Sequence, residues 1–153
     1  MKFFTHSIKS LLLSLAATTA LFSGAAGAAD TPASLSGATV VDAAKAKSLM
    51  DGGAAMIDAR VANEYAEAHI KGAANVPYKE KSAKSADFDA SQDNFDISKL
   101  PADKNAGVIF QCNGAECWKS YKASAMAIKN GYKKVYWFRG GFPEWKAKGY
   151  PVE

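Results

Sequence analysis

The chain has no apolar stretch long enough to cross a membrane: its longest, Leu11 to Phe22, covers 12 residues, where a spanning helix needs roughly 20. It has two cysteines, Cys112 and Cys117, and neither stands where a lipoprotein leader would place its lipid-bearing cysteine. Four residues separate them, so the two-residue gap of thioredoxin-type redox pairs is missing. Histidine is equally scarce. His69 is the only one outside the first 29 residues, and with two cysteines it falls short of a tetrahedral metal set, so neither metal nor cofactor is expected. No Lys/Arg run interleaves with aromatics, which excludes a nucleic-acid binder of the usual basic kind. No internal repeat is visible.

Residues 1–29 read as a secretory leader. Lys2 and Lys9 give a positive start, Leu11 to Phe22 an apolar centre, and Ala26-Gly27-Ala28 the small residues that precede cleavage. A retained membrane anchor is the rival, and the short apolar run argues against it. Without the leader the chain carries 17 basic and 15 acidic side chains, so the pI of about 9.0 overstates its basicity. The remaining residues, 30–153, suffice for one domain with its own core but not for two. A periplasmic or secreted monomer, free of the membrane after cleavage, is expected. Such a compartment permits disulfides, although a bond closing so short a loop contributes little loop-closure entropy.

After a polar linker through Gly37, short apolar runs alternate with helical patterns, the signature of an α/β fold with a mostly parallel sheet. Strands are predicted at Thr39 to Val41, Ala54 to Asp58, Ala74 to Val76, Gly107 to Phe110 and Val135 to Phe138. Helices are predicted at Ala43 to Met50, Val61 to Ala68, Lys119 to Asn130 and Pro143 to Lys148. In the third helix Tyr121, Ser124, Ala125 and Ile128 fall on one face, and Asn130-Gly131 is a stop signal. Residues 78–106 lack periodicity and read as a surface excursion with at most one short helix, Lys79, Lys81 and Lys84 forming a solvated face.

The segment FQCNGAECWKS, Phe110 to Ser120, sets a thiol between an apolar strand and a helix start. A helix N-terminus offers unpaired N–H groups and partial positive charge, which favour a thiolate. Gly114 and Ala115 leave room for an anion to approach the backbone, and Lys119 adds a full charge, so the loop could cradle a small oxyanion or a sulfur anion. The alternative is that Cys112 is a buried strand-end residue with no chemistry, as free cysteines often are. Local features leave the two open.

The stretch MIDARVANEYAEAHIKGAANVP, Met56 to Pro77, and the ending RGGFPEWKAKGYPVE resemble the opening and closing signatures of the rhodanese family. The likeness runs from about Thr39 to Val152 with the cysteine loop between. It implies a rhodanese-like α/β domain, a mostly parallel five-stranded sheet flanked by helices on both faces. It also implies a sulfurtransferase of the thiosulfate sulfurtransferase kind, in which Cys112 takes sulfane sulfur from a small donor such as thiosulfate or a persulfide. The resulting persulfide would pass its sulfur to a thiol or cyanide, with Asn113, Gly114, Ala115, Glu116, Cys117, Trp118, Lys119 and Ser120 forming the substrate-binding loop. Asp58 and Arg60 would support that loop by a salt bridge, or merely cap a strand-to-helix turn. His69 would fix the turn around Gly72, Trp118 would wall the pocket, and Trp137, Phe138, Phe142 and Trp145 would be core. Arg139 could reach an anion near the loop or serve the surface.

The loop departs from the usual form. Six residues, Asn113 to Trp118, precede Lys119-Ser120, where the family commonly has four before an Arg-Ser pair. A larger pocket follows, with a point charge in place of a planar fork, and Glu116 opposes anionic donors. The Cys-Trp form resembles an exported subgroup of the family. Cys117 could resolve an oxidised Cys112 as a disulfide, carry sulfur itself, or pack inertly beside Trp118. A thiol-redox protein and a non-catalytic binding module on the same fold are therefore the competing functions. Phosphatase or arsenate-reductase chemistry would want an Arg clamp and an Asp general acid that the loop lacks.

Overall fold

The computed structural model describes residues 29–153; the expected leader lies outside the described residues except for Ala29. Five strands, β1 (Ala38–Val41), β2 (Ala55–Asp58), β3 (Ala74–Asn75), β4 (Gly107–Gln111) and β5 (Lys134–Phe138), form one sheet in the order β1-β5-β4-β2-β3. Every pairing is parallel. Parallel strands need crossovers, and helices α1 (Ala43–Asp51), α2 (Ala62–Glu67) and α3 (Trp118–Lys129) supply them, with α4 (Gly141–Ala147) closing the fold. The five predicted strands and four predicted helices are all present, with ends displaced by one or two residues.

Alternation along β4 divides the core. Val108 and Phe110 pack toward α3 with Ala123 and Ala127, while Ile109 packs toward α1 and α4 with Ala43, Ala46, Phe142 and Trp145. Helices thus cover both faces, as parallel sheets require. Asp42 caps α1 by accepting the Lys45 N–H. Trp137, Phe138, Phe142 and Trp145 are buried as expected.

Three expectations need correction. On α3 the buried set is Trp118, Ser120, Tyr121, Lys122, Ala123, Ser124 and Ala127, so Ala125 and Ile128 are peripheral. The 78–106 excursion holds two single 3₁₀ turns, Ala90–Gln92 and Ile97–Lys99, and it sinks Tyr78, Ser82 and Leu100 into the protein. Lys79, Lys81 and Lys84 are exposed as expected. Finally, the segment before Gly37 is no free linker, because Thr31 is buried.

Candidate active site

Cys112 follows β4, the central strand of the sheet, at its carboxyl end, where parallel α/β sheets present their reactive groups. Phase alone decides which way it faces: two residues beyond Phe110, its side chain falls on the α3 side and joins that core. It is almost wholly buried, at 1% exposure. Residues 113–117 then turn the chain into α3, with Gly114 at φ +106° and the Cys117 N–H bonded to the Gly114 carbonyl at 3.0 Å.

The two sulfurs are joined. Cys112 and Cys117 form a disulfide with Cα atoms 6.3 Å apart, within the normal span. Cys117 is therefore bonded to Cys112 as well as adjacent to Trp118. Ser120, three residues into α3, donates its N–H to Cys112 Sγ at 3.3 Å, and its Oγ lies 3.1 Å from the same sulfur. Trp137 Nε1 donates to that Oγ at 3.0 Å, which leaves the hydroxyl proton free to turn toward sulfur. The helix start thus sets the Ser120 N–H and hydroxyl against Cys112 Sγ, with the Cys117 carbonyl oxygen 3.2 Å from the same sulfur.

The loop is held from behind and from the side. Phe142 donates its N–H to the Cys112 carbonyl at 2.9 Å. Gly141, at φ +59°, lies so close that a Cβ there would overlap the Cys112 carbonyl oxygen; this close approach accounts for the glycine at 141. From the side, Thr31 donates its N–H and its hydroxyl to the Ala115 carbonyl at 2.8 and 2.6 Å. Trp118 Nε1 donates to the Ala29 carbonyl at 2.9 Å. Arg139 completes this strap, donating to the Thr31 hydroxyl and carbonyl at 3.1 and 2.7 Å, so it is committed to protein partners.

A cleft of about 320 Å³ opens beside the loop, lined by Glu80, Lys84, Asn113, Glu116, Cys117, Trp118 and Lys119. Cys117 lines it and Cys112 does not. Trp118 is both a wall and a core residue, since it stacks edge-on against Tyr121 at 5.2 Å. Asn113 donates to Glu64 at 2.6 Å.

Asp58 and Arg60 sit one strand away, Asp58 in register with Gln111. Arg60 grips Asp58 with Nε at 3.0 Å from both oxygens and Nη2 at 2.6 Å, donates to the Ala68 carbonyl, and stacks 4.2 Å over Phe142. The pair fixes the β2–α2 turn and is linked to Cys112 through Phe142. His69 lies 2.9 Å from the Tyr65 carbonyl and 3.5 Å from Glu153; it is Glu153 that accepts the Gly72 N–H.

One buried group has no warning in the sequence. Lys122 is fully buried, 2.9 Å from Glu80 and 3.7 Å from Asp93, and it donates to the Ser82 hydroxyl at 2.8 Å. Burial pushes the Asp93 carboxyl up, but hydrogen bonds from the Ser82 hydroxyl and amide, the Lys81 amide and Tyr78 overcome it and hold Asp93 well below the usual carboxylate range. The Tyr78 hydroxyl is pushed up by its own burial and by its bond to Asp93. This network ties the excursion to α3 behind the cleft.

These features define a class: a parallel α/β domain whose central strand delivers a thiol to a loop at a helix start. Comparison with known proteins makes the class specific. The rhodanese-like domain matches residues 42–148, and the chain belongs to that family. It is 32% identical over 110 residues to the thiosulfate sulfurtransferase GlpE of Pseudomonas fluorescens, covering 71% of this chain and 84% of the relative. Two solved structures have the same fold. The BH2092 protein of Bacillus halodurans superposes with a TM-score of 0.56 at 24% identity, over 76% of this chain and 77% of that one. The rhodanese-like domain of the Anabaena Alr3790 protein gives 0.53 at 27% identity, over 74% and 76%.

Proposed function

We propose that the protein is an exported sulfurtransferase or sulfur carrier that works through a persulfide on Cys112. The observation that carries this is the pair of donors from Ser120 on a sulfur placed at the end of the central strand. In the reduced loop the Cys112 thiolate attacks the sulfane sulfur of a donor, thiosulfate or a persulfide, and expels sulfite or a thiolate. The new persulfide then gives its outer sulfur to an attacking thiolate or cyanide, restoring Cys112. This is covalent catalysis with two half-reactions and needs no cofactor. Membership of the rhodanese-like family and the likeness to a thiosulfate sulfurtransferase support it. The leader pattern of residues 1–29 and the loop disulfide support an oxidising, extracytoplasmic compartment, where the domain acts as a monomer.

The disulfide favours a second reading, a thiol-redox protein cycling between Cys112 and Cys117. Sulfur transfer by the reduced protein separates the two. Cys112→Ser abolishes transfer under either donor if the proposal holds; Cys117→Ser retains it and no longer needs prior reductant. Transfer that survives Cys112→Ser overturns the proposal, and transfer lost in Cys117→Ser favours the redox pair.

A further inference from the structure

The oxidised loop must be opened before Cys112 can act, and the structure makes its two sulfurs unequal. We propose that a low-molecular-weight thiol bearing both an ammonium and a carboxylate enters the cleft beside the loop and attacks at Cys117, expelling Cys112 as the thiolate. The proposal rests on Cys112 being the working sulfur and deepens that assignment by naming the activating substrate and the sulfur it meets.

Access is the first argument. Thiol–disulfide exchange goes to the sulfur a nucleophile can reach. Cys112 is 1% exposed and takes no part in the cleft, whereas half-buried Cys117 forms part of its wall. The leaving group is the second. The sulfur whose thiolate is better stabilised departs faster, and the Ser120 N–H and hydroxyl gather on Cys112, two groups able to donate against the one Cys117 carbonyl oxygen at 3.2 Å. Both arguments choose the same direction from separate observations. The products are also the useful ones, because the exchange frees Cys112 in its nucleophilic form.

The cleft walls specify the thiol. Glu80 is engaged by Lys122 at 2.9 Å, which it shares with Asp93. Among the described residues Lys84, Lys119 and Glu116 enter no ion pair, and all three line the cleft. Two ammonium groups suit a carboxylate and Glu116 suits an amine, so an amino-acid thiol matches where a purely anionic one meets Glu116. A space of about 320 Å³ is in the range of small-ligand sites.

The chemistry balances without an external oxidant. The incoming thiolate forms a bond to Cys117 Sγ as the bond to Cys112 breaks, and the electron pair leaves on Cys112. A second thiolate attacks the mixed disulfide at its outer sulfur and releases Cys117. Two thiols become one small disulfide, and the protein disulfide becomes two thiols.

A pulse of cysteine at less than one equivalent, applied to the oxidised protein and quenched with N-ethylmaleimide, tests this by peptide mapping. The expected product carries cysteine on Cys117 and maleimide on Cys112, in excess over the reverse by at least about tenfold. The reverse pattern, or an even mixture, overturns the proposal. Compared at equal thiolate concentration, cysteine opens the loop faster than 2-mercaptoethanol, cysteamine or 3-mercaptopropionate, and the double variant Glu116→Gln/Lys119→Gln removes the advantage. Equal rates for all four thiols overturn the ligand assignment. No sulfur donor is present in this experiment, so its outcome is separate from whether Cys112 later accepts sulfur.

Discussion

Two turns leave the same edge of the sheet side by side, after β2 and after β4, and they are built to opposite ends. After β2, Asp58 and Arg60 satisfy each other in a buried, fork-to-fork pair, and the spare guanidinium donor finds the Ala68 carbonyl. Little there is left for a ligand. After β4, the donors of Ser120 converge on a sulfur, and the neighbouring cleft carries Lys84, Lys119 and Glu116, which enter no ion pair among the described residues. The first turn is a rigid abutment and the second a reactive surface, and Phe142 joins them by stacking on Arg60 while its N–H holds the Cys112 carbonyl.

Breaking the abutment should cost the most stability. Arg60→Ala leaves the Asp58 carboxylate buried without its partner, and a loss of roughly 3–5 kcal/mol is expected in denaturant unfolding. Gly141→Ala is next: its Cβ would overlap the Cys112 carbonyl, and φ is positive. A loss of about 1–3 kcal/mol should come with impaired chemistry at Cys112, read by alkylation of the reduced protein; unchanged alkylation would mean that the loop does not depend on this contact.

Asp93 gives a contrast in pH rather than in position. Its folded carboxyl is held below the unfolded value, so its stabilisation is full above about pH 4 and is lost as pH falls further. The stability gap between the wild type and Asp93→Asn should therefore narrow between pH 6 and pH 3; a gap constant with pH would exclude this linkage. The smallest effect belongs to Thr31→Ala, which removes one hydroxyl bond to Ala115 and one from Arg139 and should cost about 1 kcal/mol, with faster hydrogen exchange confined to the loop.

The same two turns show what the sequence reveals and what it conceals. Strands β2 and β4 and the start of α3 are legible because apolar runs and helical periodicity are local signals. The position of Cys112 between them is legible for the same reason. The disulfide is one alternative among several in the sequence, since spacing permits it without requiring it. Burial of Lys122 was not legible: a lysine at that position reads as solvated, and its partners Glu80 and Asp93 come from the aperiodic excursion. The Thr31 strap is concealed in the same way, as its contact with Ala115 spans 84 positions and its polar composition reads as linker. Gln111 is a third case. It is fully buried at the end of β4 with neither side-chain polar atom partnered among the described residues, and the structure offers no reason for it.

The most direct measurement is the intact mass of the protein after reduction, incubation with thiosulfate or glutathione persulfide, and removal of excess donor. A gain of one sulfur atom, mapped to Cys112, retained in Cys117→Ser and absent in Cys112→Ser, is the expected result. A reduced protein that takes up no sulfur from either donor, and returns only to the Cys112–Cys117 disulfide, would contradict it.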